Sequence, residues 1–242
     1  MFNYKKINEK YNLQVRDIAY IGANRGQELV DLMEVYVDSN FYLFEPQKDV
    51  FSNLVETFKS KNNLNFYNIG LGSVKQKKRL YKNTNNENMS SSVLKPKEHL
   101  HFYPHVNFEG FEEIELEKFS NLKITNVNYL NIDVQGYELE VLKGFDEYLD
   151  DVDYIFCEVN RKELYEDCVL VGELDNFLGN YHFQRIETIW YKKTIPWGDA
   201  FYIKKDKVSN YLIYRSKLFN FIQKMKGYFF IITLFKKFKI VK

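Results

Sequence analysis

The sequence is poor in cysteine and lacks any long apolar run. Its 242 residues include two cysteines, Cys157 and Cys168, and neither stands in a spacing typical of a zinc site or a disulfide framework. No stretch approaches the roughly 18 consecutive apolar residues of a transmembrane helix. Residues 1–13 also lack the continuous apolar segment of a secretory signal. We therefore expect a cytoplasmic protein in a reducing compartment.

Acidic residues are missing from the C-terminal part of the chain. Residues 207–242 hold nine of the 34 Lys and Arg residues and none of the 33 Asp and Glu residues. Residues 1–206 therefore carry 25 basic against 33 acidic side chains. An acidic body argues against nucleic-acid binding, because phosphate contacts need a basic face. We predict one globular domain at 1–206 and a basic tail at 207–242.

Apolar and aromatic residues are plentiful, at 45% and 17% of the chain, which excludes global disorder. Short apolar runs alternate with helix-like stretches, a pattern that predicts an α/β fold with a mostly parallel sheet. Strands are predicted at 18–21, 41–44, 66–69, 127–132 and 152–159, with helices at 27–36, 50–58, 137–149 and about 174–178.

Three further predictions concern the segments between these elements. Residues 182–190 and 200–203 are expected to pair antiparallel at one sheet edge, across a turn at Pro196-Trp197-Gly198. Gly70-Leu71-Gly72 predicts a tight turn. Residues 82–110 show little periodicity and predict a long loop, of the kind that often contacts a substrate.

The string IGANRG lies between the first predicted strand and the first predicted helix of the sheet. Glycines at this point let the backbone turn sharply and come within contact distance of a cofactor. We take Gly22, Ala23, Asn24 and Gly26 as cofactor-binding candidates, with an ordinary strand–helix turn as the alternative. The third glycine of a dinucleotide-binding turn is missing, which favours a nucleoside ligand without a pyrophosphate.

Three further candidates follow the next two predicted strands. Glu45 ends the second strand, 19 residues past Gly26, where a carboxylate can accept both hydrogens of a ribose diol. Asn68 and Gly70 follow the third strand and are expected at the adenosine end of the same crevice. The alternative for these two is a plain turn.

Several longer strings lie between about Asp17 and Lys204: IGANRG, LFEP, NIGLGS, MSSS, YLNIDVQGYELEVLKG, IFCEVN and WGDAFYI. In these strings the sequence resembles the FkbM family of S-adenosylmethionine-dependent methyltransferases. The resemblance implies a class I methyltransferase (Rossmann-like) fold, S-adenosylmethionine as cofactor, and O-methylation of a hydroxyl on a sugar or other natural product. Two positions depart from the family pattern: Tyr20 stands where an acid usually helps to hold the cofactor's amino group, and Asn131 where a lysine is frequent.

Two carboxylates follow or end later predicted strands. Asp133 and Glu158 are expected to project into the cofactor crevice, because the carboxyl ends of neighbouring parallel strands meet at one edge. Methyl transfer needs an acceptor hydroxyl held in line and a base for its proton. Asp133 is the first candidate for that base and Glu158 the second. The alternative for Asp133 is a loop-ordering carboxylate.

His99, His101 and His105 fall within the predicted loop at a loose spacing. Without nearby cysteine or carboxylate ligands this spacing favours a polar substrate loop over a metal site, and we predict no metal. Residues 209–242 place apolar side chains near helical spacing among lysines, which predicts a basic amphipathic helix. Peripheral docking on an anionic membrane is one reading of this tail, and packing on a partner or on the domain itself is the other.

These observations favour a methyltransferase that modifies a sugar hydroxyl in a surface glycan or its precursor. Two alternatives stay open. A nucleotide-cofactor oxidoreductase would use the same crevice but predicts a third glycine that the turn lacks. A non-catalytic, methyltransferase-like binding module would explain Tyr20.

Overall fold

The computed structural model describes residues 3–85, 89–191 and 196–224. Its centre is a seven-stranded sheet. The strands of this sheet are β1 (Asp17–Ile21), β2 (Phe41–Phe44), β3 (Leu64–Tyr67), β7 (Val127–Ile132), β8 (Tyr154–Asn160), β9 (Phe183–Trp190) and β10 (Trp197–Lys204). Their order is β3-β2-β1-β7-β8-β10-β9, and β10 runs opposite to the other six strands. The predicted α/β class, with its parallel sheet and antiparallel edge pair, is confirmed.

Seven α-helices accompany the sheet in the described residues: α1 (Tyr4–Tyr11), α2 (Leu29–Val35), α3 (Lys48–Phe58), α4 (His99–Phe102), α5 (Glu138–Lys143), α6 (Val171–Asn180) and α7 (Asn210–Lys224). Neighbouring residues of β1 and β7 are buried in two separate apolar clusters, one on each face of the sheet. This explains why every residue of both strands is buried and why the sequence of β1 is apolar from Ile18 to Ile21, because a strand covered on both faces has no solvent-exposed side. None of the described helices is long and apolar enough to cross a bilayer.

A second, three-stranded sheet lies beside the first and was not predicted. It consists of β4 (Gly70–Leu71), β5 (Gln76–Asn83) and β6 (Phe108–Glu117), in the order β4-β6-β5. The predicted Gly70-Leu71-Gly72 turn is therefore wrong, since β4 pairs with Leu116 and Glu117 of β6. The predicted 82–110 loop is likewise shorter and contains α4.

The single helix predicted at 137–149 is also wrong. Helix α5 ends at Lys143, and a 3-10 helix follows at Asp146–Asp150. Gly144 separates the two, and a Cβ there would lie 2.1 Å from the carbonyl oxygen of Gly72. Asp146 then takes a left-handed conformation, with φ of 48°. The helix is therefore interrupted where the backbone packs closely against the segment after β4.

The antiparallel edge pair is confirmed, but its predicted turn is misplaced. Trp197 and Gly198 belong to β10, where they pair with Asn160 and Val159 of β8. A Cβ on Gly198 would lie 2.2 Å from the carbonyl oxygen of Ile189, so the glycine permits close strand packing instead of a turn. The predicted tail helix begins as α7, which packs against β9, and the predicted tail beyond Lys224 lies outside the described residues.

Candidate active site

A cavity of about 490 Å³ opens at the carboxyl edge of the parallel strands. It lies where the chain order reverses, since β2 and β3 lie on one side of β1 and β7 and β8 on the other. Ligands of open α/β sheets bind at this switch point. The predicted candidates among its lining residues are Gly22, Asn24, Glu45, Gly70, Asp133 and Glu158.

The glycine turn is held against the sheet by its own backbone. The N–H groups of Gly22 and Ala23 both donate to the carbonyl of Phe44 at 3.0 Å. Gly22 has φ of +78°, and a Cβ there would lie 1.9 Å from the carbonyl oxygen of Asp133. A side chain at this position would therefore separate the turn from the loop after β7, so Gly22 is required for the closure of the site itself.

Gly26 and Ala23 are placed behind the turn. Gly26 has φ of +75°, and a Cβ there would lie 2.6 Å from the Phe58 ring of α3. Ala23 is fully buried in the apolar cluster that contains α2. Among the described residues, the cavity wall includes neither of them. Their small size allows close packing of the helices. For these two residues the structure therefore agrees with the alternative reading, an ordinary strand–helix turn.

Glu45 and Asn24 meet on the side of the cavity that lies next to β2. One carboxylate oxygen of Glu45 accepts from the Asn24 N–H at 3.0 Å, and the other accepts from the Gln47 N–H at 2.8 Å. Burial raises the pKa of Glu45 to about 7, against the lowering effect of these backbone donors. Asn24 is left-handed, with φ of 45°, and its buried Oδ1 has no partner among the described residues.

Asn68 and Gly70 differ in their position relative to the cavity, because only Gly70 lines it. The Asn68 amide donates to the carbonyls of Glu45 and Pro46, at 2.9 and 3.1 Å, from an exposed position outside the cavity wall. It therefore fixes the segment after β2. Gly70 lines the cavity, and a Cβ there would meet the Leu116 side chain at 2.6 Å.

Asp133 and Glu158 are brought together by a single amide. The Gln135 side chain donates to Asp133 Oδ1 at 2.8 Å and to Glu158 Oε2 at 3.0 Å. The side-chain oxygen of Gln135, Oε1, in turn lies 2.8 Å from the Tyr165 hydroxyl, which fixes the orientation of the amide. Asp133, Gln135 and Glu158 therefore form one connected polar group on the side of the cavity next to β7 and β8.

A third carboxylate, Asp199 of β10, faces Glu158 of β8 as its register partner. Burial raises the pKa of Asp133 to about 6 and that of Asp199 to about 7. The pKa of Glu158 is raised by burial and then by the neighbouring Asp133. Tyr191 donates a hydrogen bond to Asp199, which opposes the rise in the pKa of Asp199. Like charges held close in a buried cavity resist simultaneous ionisation.

Glu138 orders the loop that carries these groups. Its carboxylate accepts from the Gly136 N–H at 2.9 Å and the Val134 N–H at 3.3 Å, and its side chain is fully buried. Gln135 and Gly136 take positive φ values of 54° and 99° in this tight loop. Glu138 is thus a loop-ordering carboxylate, while Asp133 is left facing the cavity.

Glu28 is a lining residue that sequence reasoning missed. It stands at the beginning of α2 and accepts a hydrogen bond of 2.5 Å from the Tyr4 hydroxyl. Burial, and then the nearby carboxylates of Glu28, Asp133 and Glu45, raise the pKa of Tyr20. No sequence motif identifies Glu28 as a lining residue. Its position near Tyr20 depends on the tertiary packing of α2 along β1.

The segment after β5 forms the opposite wall. Ser90, Ser92, His99, Tyr103 and His105 line the cavity there. The Ser92 hydroxyl donates to the Gln135 carbonyl at 2.8 Å, and the Tyr165 hydroxyl lies 2.9 Å from the Ser90 carbonyl. His99 packs among aromatic rings, and burial lowers its pKa to about 4, so it is neutral near pH 7.

The cavity wall is acidic in the described part of the chain. Five carboxylates line it, and no Lys or Arg does: Glu28, Glu45, Asp133, Glu158 and Asp199. Residues 3–85, 89–191 and 196–224 contain no group of three or more His, Cys, Asp or Glu side chains arranged to hold a metal ion.

Known proteins share this architecture. The chain is 23% identical over 155 residues to the 2-O-methyltransferase NoeI of Sinorhizobium fredii, a match that covers 60% of this chain and 64% of that protein. The chain thus spans less than two thirds of that relative's length. The crystal structure of methyltransferase FkbM from Methylobacillus flagellatus KT matches with a TM-score of 0.53 at 13% identity, over 78% of this chain and 43% of that one, and so shares its fold.

The family comparison covers the same part of the molecule. Residues 21–185 match the model of the methyltransferase FkbM domain. That range contains the glycine turn, Glu45, Asp133 and Glu158, and most of the other residues that line the cavity. On this match, and with S-adenosylmethionine as the family's cofactor, the chain belongs to the FkbM family of methyltransferases.

Proposed function

We propose that the protein O-methylates a hydroxyl of a sugar, in a surface glycan or its precursor, at the cytoplasmic side of the cell. The observation that carries this proposal is the cavity in which Asn24 and Glu45 face the Gln135-bridged pair of Asp133 and Glu158. Methyl transfer to a hydroxyl requires a place for the nucleoside cofactor and, next to it, a base for the hydroxyl proton. This pocket would provide both.

The cofactor side has polar groups suited to S-adenosylmethionine. Glu45 would accept the ribose hydroxyls, and the unpartnered Oδ1 of Asn24 would take a further donor. Glu28 would hold the amino group, the role that the missing acid at Tyr20 leaves open. When bound, S-adenosylmethionine supplies an electrophilic methyl group. Buried polar atoms without partners are uncommon in folded proteins, so Asn24 Oδ1 supports a ligand at this point.

Asp133 is the proposed base. Its Oδ1 accepts from Gln135, and the carboxylate is otherwise available to take the proton of an acceptor hydroxyl. A buried carboxylate with its pKa raised to about 6 is a better proton acceptor than an exposed one and is still mostly ionised at pH 7. Glu158 shares the same amide and would orient the acceptor through a second hydroxyl.

The acceptor side favours an uncharged, hydroxyl-rich group. Carboxylates accept hydroxyl protons and repel phosphate, and Lys and Arg are missing from the described cavity wall. Tyr103, Tyr191 and Trp197 lie at the same side, and Trp197 donates to the Tyr103 hydroxyl at 2.6 Å. Such rings give a flat apolar surface for a sugar. The O-linkage is also supported by the name of the similar 2-O-methyltransferase.

Two measurements test the proposal. Calorimetric titration should show binding of S-adenosylhomocysteine and none of NAD, and NAD binding alone would favour an oxidoreductase. Methyl-labelled S-adenosylmethionine should then label neutral methyl glycosides but not their 6-phosphates, with the position read by mass spectrometry and NMR. Cofactor binding without any labelling across a broad panel of neutral and amino sugars would point instead to a binding module.

A further inference from the structure

Helix α7 has a fixed orientation on the domain. It packs against β9, and the Asn220 side chain donates to the Arg185 carbonyl at 3.1 Å. Ser216 is buried at the same interface. Arg215 lies near enough to Tyr11 at the end of α1 to oppose the rise of its pKa. The helix therefore presents one definite face outward.

That outward face is aromatic. Tyr211, Tyr214 and Phe221 are 67%, 68% and 61% exposed, although side chains of this size are usually at least half buried. At 3.6 residues per turn the three lie within about 80° of arc on the helix surface. Exposed Arg215 and Lys217 flank this arc on its two sides. The aromatic face is thus a stripe with a cation on each side, although Ile222, which lies beside Tyr211 on the same projection, is buried.

We propose that this face of α7 docks onto an anionic lipid bilayer, with the aromatic side chains in the headgroup region and the cations against lipid phosphates. Tyrosine suits this position because its ring is apolar and its hydroxyl polar. Charge selects the partner: residues 207–242 carry nine basic and no acidic side chains. Anionic membranes attract such a segment, and the acidic body of the protein would be repelled from them.

This surface is separate from the methyl-transfer site, so the inference does not rest on the proposed function. The Lys10 and Tyr11 side chains of α1 both contact Glu187 of β9, next to α7 and away from the cavity wall. Docking through α7 would therefore leave the cavity unobstructed.

The test uses the full chain and vesicles of stated composition. We expect co-sedimentation with phosphatidylcholine vesicles that contain 30% phosphatidylglycerol, by an amount that falls as salt rises, and at least about tenfold weaker binding to pure phosphatidylcholine. The triple variant Tyr211→Ser, Tyr214→Ser, Phe221→Ser should lose at least about tenfold in affinity for the anionic vesicles. Phe111→Ser, at a ring that is 55% exposed on the second sheet, is the matched control and should bind as the parent chain does.

Several outcomes would overturn the proposal. These are no binding to anionic vesicles, equal binding to neutral ones, or full binding by the triple variant with an unchanged far-UV spectrum and melting temperature. Analytical ultracentrifugation without lipid addresses the other occupant, a second copy of the chain. A dimer that the triple variant abolishes would assign the stripe to self-association and exclude the membrane.

Discussion

Tyr20 of β1 and Asn131 of β7 are register partners on neighbouring parallel strands. They are also the two positions at which the sequence departs from the family pattern of an acid and a lysine. The usual residues would stand side by side as opposite charges, and here both are neutral and at least 95% buried. A charge at only one of these positions would be buried without a partner, so we expect the two positions to be energetically coupled.

A double-mutant cycle tests this relationship. Tyr20→Asp alone should lower the free energy of unfolding by about 3–5 kcal/mol, since it buries a carboxylate among Glu28, Asp133 and Glu45. Combining it with Asn131→Lys should recover at least about 1 kcal/mol relative to the sum of the single effects. Urea unfolding of the four proteins gives the coupling. Additive effects would mean that the two sites are independent.

Glu45 is expected to control cofactor affinity. Glu45→Ala removes the acceptor of the Asn24 and Gln47 N–H groups and the proposed ribose ligand. Charged hydrogen bonds of about 1.5–3 kcal/mol imply that the Kd of S-adenosylhomocysteine rises by about 10- to 100-fold. Calorimetry measures it, with the exposed Glu56→Ala as control. An unchanged Kd would remove Glu45 from the cofactor site.

The glycines of the turn should differ in the cost of an added methyl group. In Gly26→Ala the added methyl group would contact the edge of a ring that can move, and alanine would have to adopt a positive φ. We therefore expect the free energy of unfolding to fall by about 1–3 kcal/mol. Gly22→Ala meets a backbone carbonyl and should cost more. Gly172→Ala in α6, where nothing lies within 4 Å, should be neutral or stabilising. Equal losses at 22 and 26 would contradict this view of the turn.

Asp133→Asn should separate turnover from binding. The amide cannot accept the hydroxyl proton, so turnover should fall about 100-fold or more, while S-adenosylhomocysteine still binds. Asp38→Asn, at an exposed position after α2, is the control and should be fully active. Retained turnover in Asp133→Asn would shift the role of base to Glu158 or Asp199, which the corresponding amide variants then distinguish.

Activity should depend on pH through the same carboxylate. The pKa of Asp133 in the free protein is raised to about 6, chiefly by burial. A base must be ionised, so kcat/KM should rise with pH through about 6 and be lost progressively below it. Initial rates between pH 5 and 8 measure this, and a flat profile over that range would argue against a carboxylate base.

The sequence was most informative where a strand is buried on both faces. Strands β1, β2 and β7 were predicted to within one residue because β1 and β2 contain unbroken apolar runs and four of the six residues of β7 are apolar. Strands β5 and β6 were missed because much of their length is exposed and rich in charge, as in the QKKRLYKN of β5. A strand with only a few buried residues gives little periodic signal.

The site shows the same division. Gly22, Asn24, Glu45, Asp133 and Glu158 could be predicted because each ends or follows a parallel strand, where topology alone brings them to one edge. Glu28 and Asp199 could not, since one depends on how α2 folds back and the other on the direction of β10. In the sequence, Gln135 appears only as part of the motif YLNIDVQGYELEVLKG. Its role as a bridge between Asp133 and Glu158 depends on side-chain geometry, which the sequence does not give.

The antiparallel β10 has a consequence for the order of synthesis. Its first residues, Trp197 and Asp199, complete a wall whose other parts begin at Tyr20. A nascent chain that has emerged only as far as β9 therefore lacks this part of the wall. Ribosome-bound intermediates would keep the cavity open on this side until β10 is synthesised.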